Sequence, residues 1–495
     1  LQAQLTPAQT ALLITRAQTD PGWWLTSILG ASPWSKQVEI CESVRDNQRT
    51  AVASSHGVGK SWIAARIVLW FLLSFRGSIA ATTAPTFRQV QKVLWQEIRQ
   101  AYRASKVPLG GRILQTELHL DDKWYAFGFS TDDANRFQGL HAPHVLAVFD
   151  EAAGVSKEIW TAAEGILTSE HCRLLAIGNP TESAGPFYEM FREPGVSKIH
   201  ISAFDTPNVQ ERRMVIPGLT TAEWVEDKRR RWGEQSPVYQ SRVLGRFPAD
   251  SATAVIPLSW VEAAVERWRA WKEDGGEFGS LTCAALDVSD GGEDRSFLAL
   301  RYGTIVSEVR DVTQADAHAT MALAGVVVAA VHGKRGAMAI VDSIGVGAGI
   351  VSRLREQEVS VHAFNAAEGT DARDDSGELG FLNLRAAAWW GMRERLHPET
   401  GDGICLPPDD DLIGDLTAPT WKVTSRGLVQ VESKDDIRKR LGRSTDRGDS
   451  VVMAFAAGQS AGGAAAAEVH GPRTVAQVVA GVPADENRES YEYLI

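Results

Sequence analysis

The stretch Ser54-Ser55-His56-Gly57-Val58-Gly59-Lys60-Ser61 constrains this chain more than any other part of it. It follows a short apolar run, residues 50–54, and opens a long apolar helical pattern over residues 61–75. Small residues at a strand-to-helix turn let backbone N–H groups wrap phosphates, and the helix dipole adds to their pull. Lys60 supplies a cation for the β and γ oxygens, and Ser61 a hydroxyl for magnesium. Ser55, His56, Gly57, Val58, Gly59, Lys60 and Ser61 are therefore the expected nucleotide contacts. The usual pattern opens on Gly where this chain has Ser54, which matters little because backbone amides do the cradling.

Downstream, Val145-Leu146-Ala147-Val148-Phe149-Asp150-Glu151 reads as an apolar strand ending in two acids. Asp150 would stand beside the magnesium, and Glu151 would orient or deprotonate the attacking water. An acidic pair at a strand end is often only a helix cap; after a phosphate loop it predicts ATP hydrolysis with Mg²⁺. Two flanking features extend the site. Ahead of the loop, the Gln37 amide could read adenine while Trp34 offers a stacking face. After a predicted strand at 173–177, the turn Gly178-Asn179-Pro180-Thr181 places Asn179 where it could sense the γ-phosphate.

Short apolar runs alternate with helical patterns along the chain, which is how α/β sheets read. Strands are expected at 50–54, 78–83, 124–129, 145–149, 173–177 and 199–204, then a linker region over 205–275. A second α/β unit begins near Leu281, with strands at 283–288, 297–302, 306–312, 338–342 and 360–364. Helices are expected at 315–331, 348–356 and 383–396, and a hairpin joins 420–424 to 428–432. In this unit Asp287 ends one strand, before a turn holding Asp290, Glu293 and Asp294, and Asp342 ends another. Asp449 stands at the start of an apolar helix over 450–457, where it would also serve as a cap. Three acids on separate elements could converge on two divalent ions that activate water and stabilise a leaving phosphodiester oxygen. Hard oxygen ligands favour Mg²⁺ or Mn²⁺. Six basic residues from Lys434 to Arg447 lie ahead of the third acid and could grip phosphates.

Composition removes other classes. Charged residues at 23% and aromatics at 8% are those of a globular chain. No apolar stretch is long enough to span a membrane, and no secretory leader is read at the start. Four well-separated cysteines form no CxxC pair, so a reducing cytosol is expected. Residues 1–250 hold 27 basic and 25 acidic side chains and residues 251–495 hold 24 and 37, a balance that does not advertise nucleic-acid binding.

Taken in order, the motifs resemble those of the large terminase subunit of tailed bacteriophages, over roughly residues 20–460. They are Trp34…Gln37, the phosphate loop, Asp150-Glu151, Gly178-Asn179-Pro180, Asp287, Asp342, and Ser433-Lys434-Asp435-Asp436…Gly442-Arg443-Ser444…Asp446…Asp449. The resemblance implies an ASCE-type P-loop ATPase domain (1–204), a linker (205–275), a ribonuclease H-like nuclease domain (276–460) and a tail (461–495). It implies an ATP-driven double-stranded DNA translocase and endonuclease that packages a viral genome into procapsids and cuts concatemers. Arg136, in Asn135-Arg136-Phe137-Gln138-Gly139, would be the finger that reaches a neighbouring subunit's ATP. The implied cofactors are ATP with Mg²⁺ and two Mg²⁺ or Mn²⁺ ions in the nuclease. The implied partners are a portal protein, a small terminase subunit and further copies of the chain in a pentameric ring. The implied place is the cytoplasm of an infected bacterium, transiently at the procapsid portal. Relatives often have Pro at the middle of Ser444-Thr445-Asp446, and this departure leaves Asp446 or Asp449 as the third metal ligand, Asp449 being preferred. Competing readings are a DNA-repair helicase–nuclease, which would usually carry two motor domains, and an ATP-binding scaffold with an inactive nuclease domain.

Overall fold

Eight strands form the first sheet: β1 (Arg49–Ser54), β2 (Ile79–Thr83), β3 (Arg112–Ile113), β4 (Glu117–Asp121), β5 (Trp124–Gly128), β6 (Val145–Asp150), β7 (Cys172–Gly178) and β8 (Ser197–Ile201). The computed structural model describes residues 6–129, 142–167, 171–248, 253–289, 295–313 and 319–456. The sheet order is β3-β4-β5-β2-β6-β7-β1-β8. β7 lies between β1 and β6 and is parallel to both. One strand is thus inserted between the phosphate-loop strand and the acid-ending strand, as the ASCE type requires. β2, β6 and β7 are apolar almost throughout because both faces are covered. The helices α1 (Ser35–Asp46) and α2 (Lys60–Ser74) lie on one face. α2 is apolar on nearly all sides and correspondingly buried. The sequence did not signal β3, a two-residue edge strand, or β4 beside it, which is largely polar.

The 205–275 region is helical where its sequence reads as helical, near 222–231 and 259–271. It holds α3 (Ala222–Trp232), α4 (Pro237–Arg242) and α5 (Leu258–Glu273). Trp232, Tyr239, Val261 and Val265 share one apolar core with Ile340, Leu412 and Val451 of the second α/β unit. The polar composition of α3 hid this: Arg229, Arg230 and Arg231 face outward, while Lys228 is buried and pairs with Asp410 at 3.1 Å.

The second sheet contains β9 (Cys283–Asp287), β10 (Phe297–Tyr302), β11 (Ile305–Asp311), β12 (Met338–Asp342) and β13 (Val361–Phe364), in the order β11-β10-β9-β12-β13. β9, β10 and β11 pair antiparallel, whereas β12 is parallel to β9 and to β13. That is the ribonuclease H-like arrangement. β14 (Gly380–Phe381), β15 (Trp421–Val423) and β16 (Leu428–Val431) form a small sheet, with the expected hairpin between β15 and β16. Around these pack α6 (Leu384–Leu396), α7 (Asp410–Leu416), α8 (Lys434–Leu441) and α9 (Asp446–Ala456). One expectation is corrected here. Helix α9 starts at Asp446, so Asp449 lies inside its first turn and is not its cap. The Thr445 hydroxyl donates to the Asp449 carboxylate at 2.8 Å, drawing that acid into the turn. Arg136 and its neighbours, the acids Asp290, Glu293 and Asp294, and the tail 461–495 lie outside the described residues.

Candidate active sites

The phosphate loop joins β1 to α2 through two glycines in the left-handed region, Gly57 (φ 64°) and Gly59 (φ 79°). A Cβ at Gly57 would lie 2.3 Å from Thr220 Oγ1, and one at Gly59 would lie 2.6 Å from Gln37 Nε2. Only glycine satisfies both the torsion and the space. The protein holds the loop from several sides. Ser55 N donates to Ile201 O and His56 N to Arg242 O, each at 2.8 Å. Thr220 donates its N to Gly57 O at 2.8 Å and its hydroxyl to His56 O at 2.9 Å. Val58 is buried, and burial with the nearby Arg242 and Lys60 charges holds His56 neutral, well below its usual pKa.

Trp34 and Gln37 are also spent on this loop. Trp34 Nε1 donates to Val58 O at 3.4 Å, and Gln37 Nε2 to Gly59 O at 3.3 Å. Both side chains are buried, so the contacts they show are those of braces beneath the loop.

Lys60, Ser61, Asp150, Glu151 and Asn179 converge. Lys60 Nζ donates to Asn179 Oδ1 at 2.9 Å and lies 3.6 Å from Glu151 Oε1. The Ser61 hydroxyl donates to Asp150 Oδ2 at 2.7 Å, the pairing that a shared magnesium would bridge. Burial, with Glu151 adjacent, pushes the Asp150 carboxyl up to about 6. A divalent cation would relieve that cost, so the donor set fits one. Glu151 has φ 49°, a strained torsion for a side chain of its size, held where a Cβ on Gly178 would meet Ala152 N at 2.8 Å. Asn179 bonds the base of the loop as well, donating to Ser54 O at 2.6 Å.

The second constellation sits at the carboxyl ends of the adjacent parallel strands β9 and β12, which carry Asp287 and Asp342. Asp287, Asp446 and Asp449 offer carboxylate oxygens that all lie within 4.8 Å of one another. Asp342 lines the same small cavity, with Asp287, Asp449, Lys434, Arg385 and Trp389. Lys434 stands at the centre, its Nζ 2.8 Å from Asp287, 3.1 Å from Asp446 and 3.5 Å from Asp449. Its ammonium occupies the kind of position among three carboxylates that a metal cation takes. Arg385 pairs with Asp449, and Trp389 Nε1 donates to it at 2.9 Å.

Burial raises the Asp287 carboxyl well above its usual pKa, against the pull of Lys434. Burial would raise Asp449 too, but Arg385 and Lys434 outweigh it and hold that acid low. Asp342 is raised by burial. Four carboxylates against Lys434 and Arg385 leave a formal site charge of −2, which suits a divalent cation held by hard oxygens.

The structure therefore gathers the predicted acids into one place and adds residues that sequence reasoning missed. Arg385 and Trp389 gave no signal beyond their i, i+4 spacing on an apolar helix. Lys434 was legible as a member of a basic run and of the Ser433-Lys434-Asp435-Asp436 motif, without a role at the acids.

No protein-family model matches the chain. A curated relative, the probable terminase large subunit of Enterobacteria phage P7, is 26% identical over 486 residues, covering 89% of this chain and 94% of that protein. The solved nuclease domain of the large terminase subunit gp2 of bacterial virus Sf6 is 23% identical, covering 41% of this chain and 97% of its own, with a TM-score of 0.34. The solved large terminase of a thermophilic bacteriophage is 14% identical, covering 89% of this chain and 98% of its own, with a TM-score of 0.38. Those superpositions are loose, and the fold assignment rests on strand order. Over 89% of its length the chain is similar to that curated terminase large subunit, a protein of the family its ordered motifs resemble.

Proposed function

We propose that this protein is an ATP-driven double-stranded DNA translocase and endonuclease that packages a viral genome into procapsids and cuts concatemeric DNA. The observation that carries the reading is the presence of two separate clusters of reactive side chains in one chain. One is the Lys60–Ser61–Asp150–Glu151–Asn179 constellation; the other is the acid cluster around Lys434. In the first, loop amides and Lys60 would bind the phosphates of ATP, and Ser61 and Asp150 would hold Mg²⁺. The phosphates replace Asn179 and Glu151 as partners of Lys60, which frees Glu151 to take a proton from the attacking water. In the second, Asp287, Asp342, Asp446 and Asp449 are the candidate holders of one or two Mg²⁺ or Mn²⁺ ions. Such ions activate a water and steady the leaving oxygen.

The finer assignments belong to the same proposal. They are the Arg136 finger and the division at 204, 275 and 460; Gln37 and Trp34 act as braces of the loop, since both are buried and bonded to its carbonyls. They also include a pentameric ring on a portal, a small terminase partner, and residence in the host cytoplasm. The test is a pair of separated losses. Glu151→Gln should bind ATP without turning it over, while Asp342→Ala should keep ATPase activity and lose metal-dependent plasmid nicking. Near-normal ATP turnover by folded Glu151→Gln, or undiminished nicking by Asp342→Ala, contradicts the assignment of that site.

A further inference from the structure

A cavity of about 550 Å³ opens where the linker helix α3 faces α8 and α9, and its lining includes the metal-site acid Asp446. Five arginines line it: Arg231 from α3, Arg295 from the approach to β10, and Arg438, Arg443 and Arg447 from the α8–α9 region. Against them stand three carboxylates, Asp411, Asp415 and Asp446, so the lining is formally +2 (five minus three). All of its lining except Arg231 lies in residues 251–495, where acids outnumber bases, 37 to 24.

The five arginines divide into two kinds. Arg443 and Arg447 are mostly buried and locked, Arg443 to Asp415 and Arg447 to Asp409 at 2.5 Å. Arg447 also lies over the Phe297 ring, 4.7 Å from its centroid. These two build the wall. Arg231, Arg295 and Arg438 have side chains 53%, 66% and 40% exposed, and they pair with Asp227 at 2.9 Å, Asp311 at 3.0 Å and Asp435 at 3.3 Å. Exposed ion pairs contribute little in water, so a phosphate can replace these carboxylates cheaply and accept two N–H bonds from a guanidinium.

We propose that this cavity is a phosphodiester subsite, seating the DNA backbone beside the phosphate that is cut at the metal centre. It rests on the nuclease reading above. Its new content is that the linker supplies part of the DNA grip, through Arg231 on the helix that packs into the nuclease core. Asp446 makes the junction between subsite and metal centre, because it belongs to both.

The test uses the full chain with Arg231, Arg295 and Arg438 changed together to Gln, and in parallel to Lys. Three probes are applied: duplex DNA with Ca²⁺ in place of Mn²⁺, inorganic phosphate, and Mn²⁺-dependent hydrolysis of bis(p-nitrophenyl) phosphate. Three lost phosphate contacts should flatten the slope of log affinity against log salt by about 2.7, roughly 0.9 for each. The Lys variant should keep that slope, and the Gln variant should raise KM for DNA cleavage more than it lowers kcat. Hydrolysis of the small ester should persist, because it needs only the metal centre. An unchanged DNA slope in the Gln variant, with the small ester still hydrolysed, overturns the subsite and leaves the nuclease reading standing. Loss of phosphate binding with DNA binding intact shows a free-anion site and overturns it as well. A wild-type chain that hydrolyses neither substrate removes the nuclease reading, and the subsite with it.

Discussion

Replacing Lys434 with Ala should tighten metal binding, although the substitution removes a group from the centre of the site. The ammonium lies 2.8, 3.1 and 3.5 Å from three of the carboxylates that a metal must use. At an effective dielectric constant of about 20, two unit charges ~4 Å apart interact by about 4 kcal/mol, and a divalent ion at that distance from the ammonium is repelled by about twice as much. Ion and ammonium therefore cannot share the cluster, and the lysine must leave before the metal is fully seated. The cost of leaving is less than the sum of its ion pairs, since its side chain is 30% exposed and can find water. A net relief of about 1.4 to 4 kcal/mol corresponds to a tenfold to thousandfold gain in affinity. Removing Lys434 also takes the formal site charge from −2 to −3, so a second ion should bind more readily. The assay is calorimetric titration of Mn²⁺ into wild type and Lys434→Ala without DNA, with thermal melts of the apo proteins and Lys434→Met as a bulk-preserving control. Equal or weaker Mn²⁺ affinity in both folded variants would refute the competition.

Three further outcomes are expected. Asp446→Asn should abolish nicking at little cost in stability, whereas Asp449→Asn should also cost ~3–5 kcal/mol in denaturant unfolding, because Arg385 loses its buried partner. Equal stability of the two variants would show that the Arg385 pair does not anchor α9. If Arg136 acts in trans, mixing Arg136→Ala with Lys60→Ala should recover ATP turnover in assembled rings, against a loss of about 10³–10⁵ for the finger variant alone. No recovery by mixed, folded subunits argues for action in cis. Burial beside Arg173 and His144 lowers His171 from 6.5 to about 4, so its folded-state pKa is depressed. The stability this gives is present above pH 6.5 and is lost as pH falls towards 4. Discounted for its partial exposure, the loss is about 2 kcal/mol, and His171→Phe should flatten that part of the pH–stability curve.

Much of this protein is legible without coordinates, for a physical reason that recurs at each legible element. Phosphate loops, acid-ending strands and buried parallel strands draw their function from local backbone geometry and from residues a few positions apart. The span from Ser54 to Ser61 therefore announced its turn and helix, and β6 and β9 announced their terminal acids. The antiparallel pairing of β15 with β16 was equally local, set by the turn between them.

What the sequence could not contain is the company each residue keeps across long separations. Lys434 sits 147 positions from Asp287, and no pattern along the chain tells an ammonium ringed by carboxylates from its solvated neighbours in the same basic run. Arg385 and Asp449, 64 positions apart, meet only because α6 and α9 pack against each other. The linker shows the contrast most clearly. Its two longer helices are legible, but not that Trp232 and Tyr239 bury themselves in the second core while Thr220 and the Arg242 carbonyl hold the phosphate loop. Local chemistry determined which residues could act, and packing between distant segments decided which of them stand together.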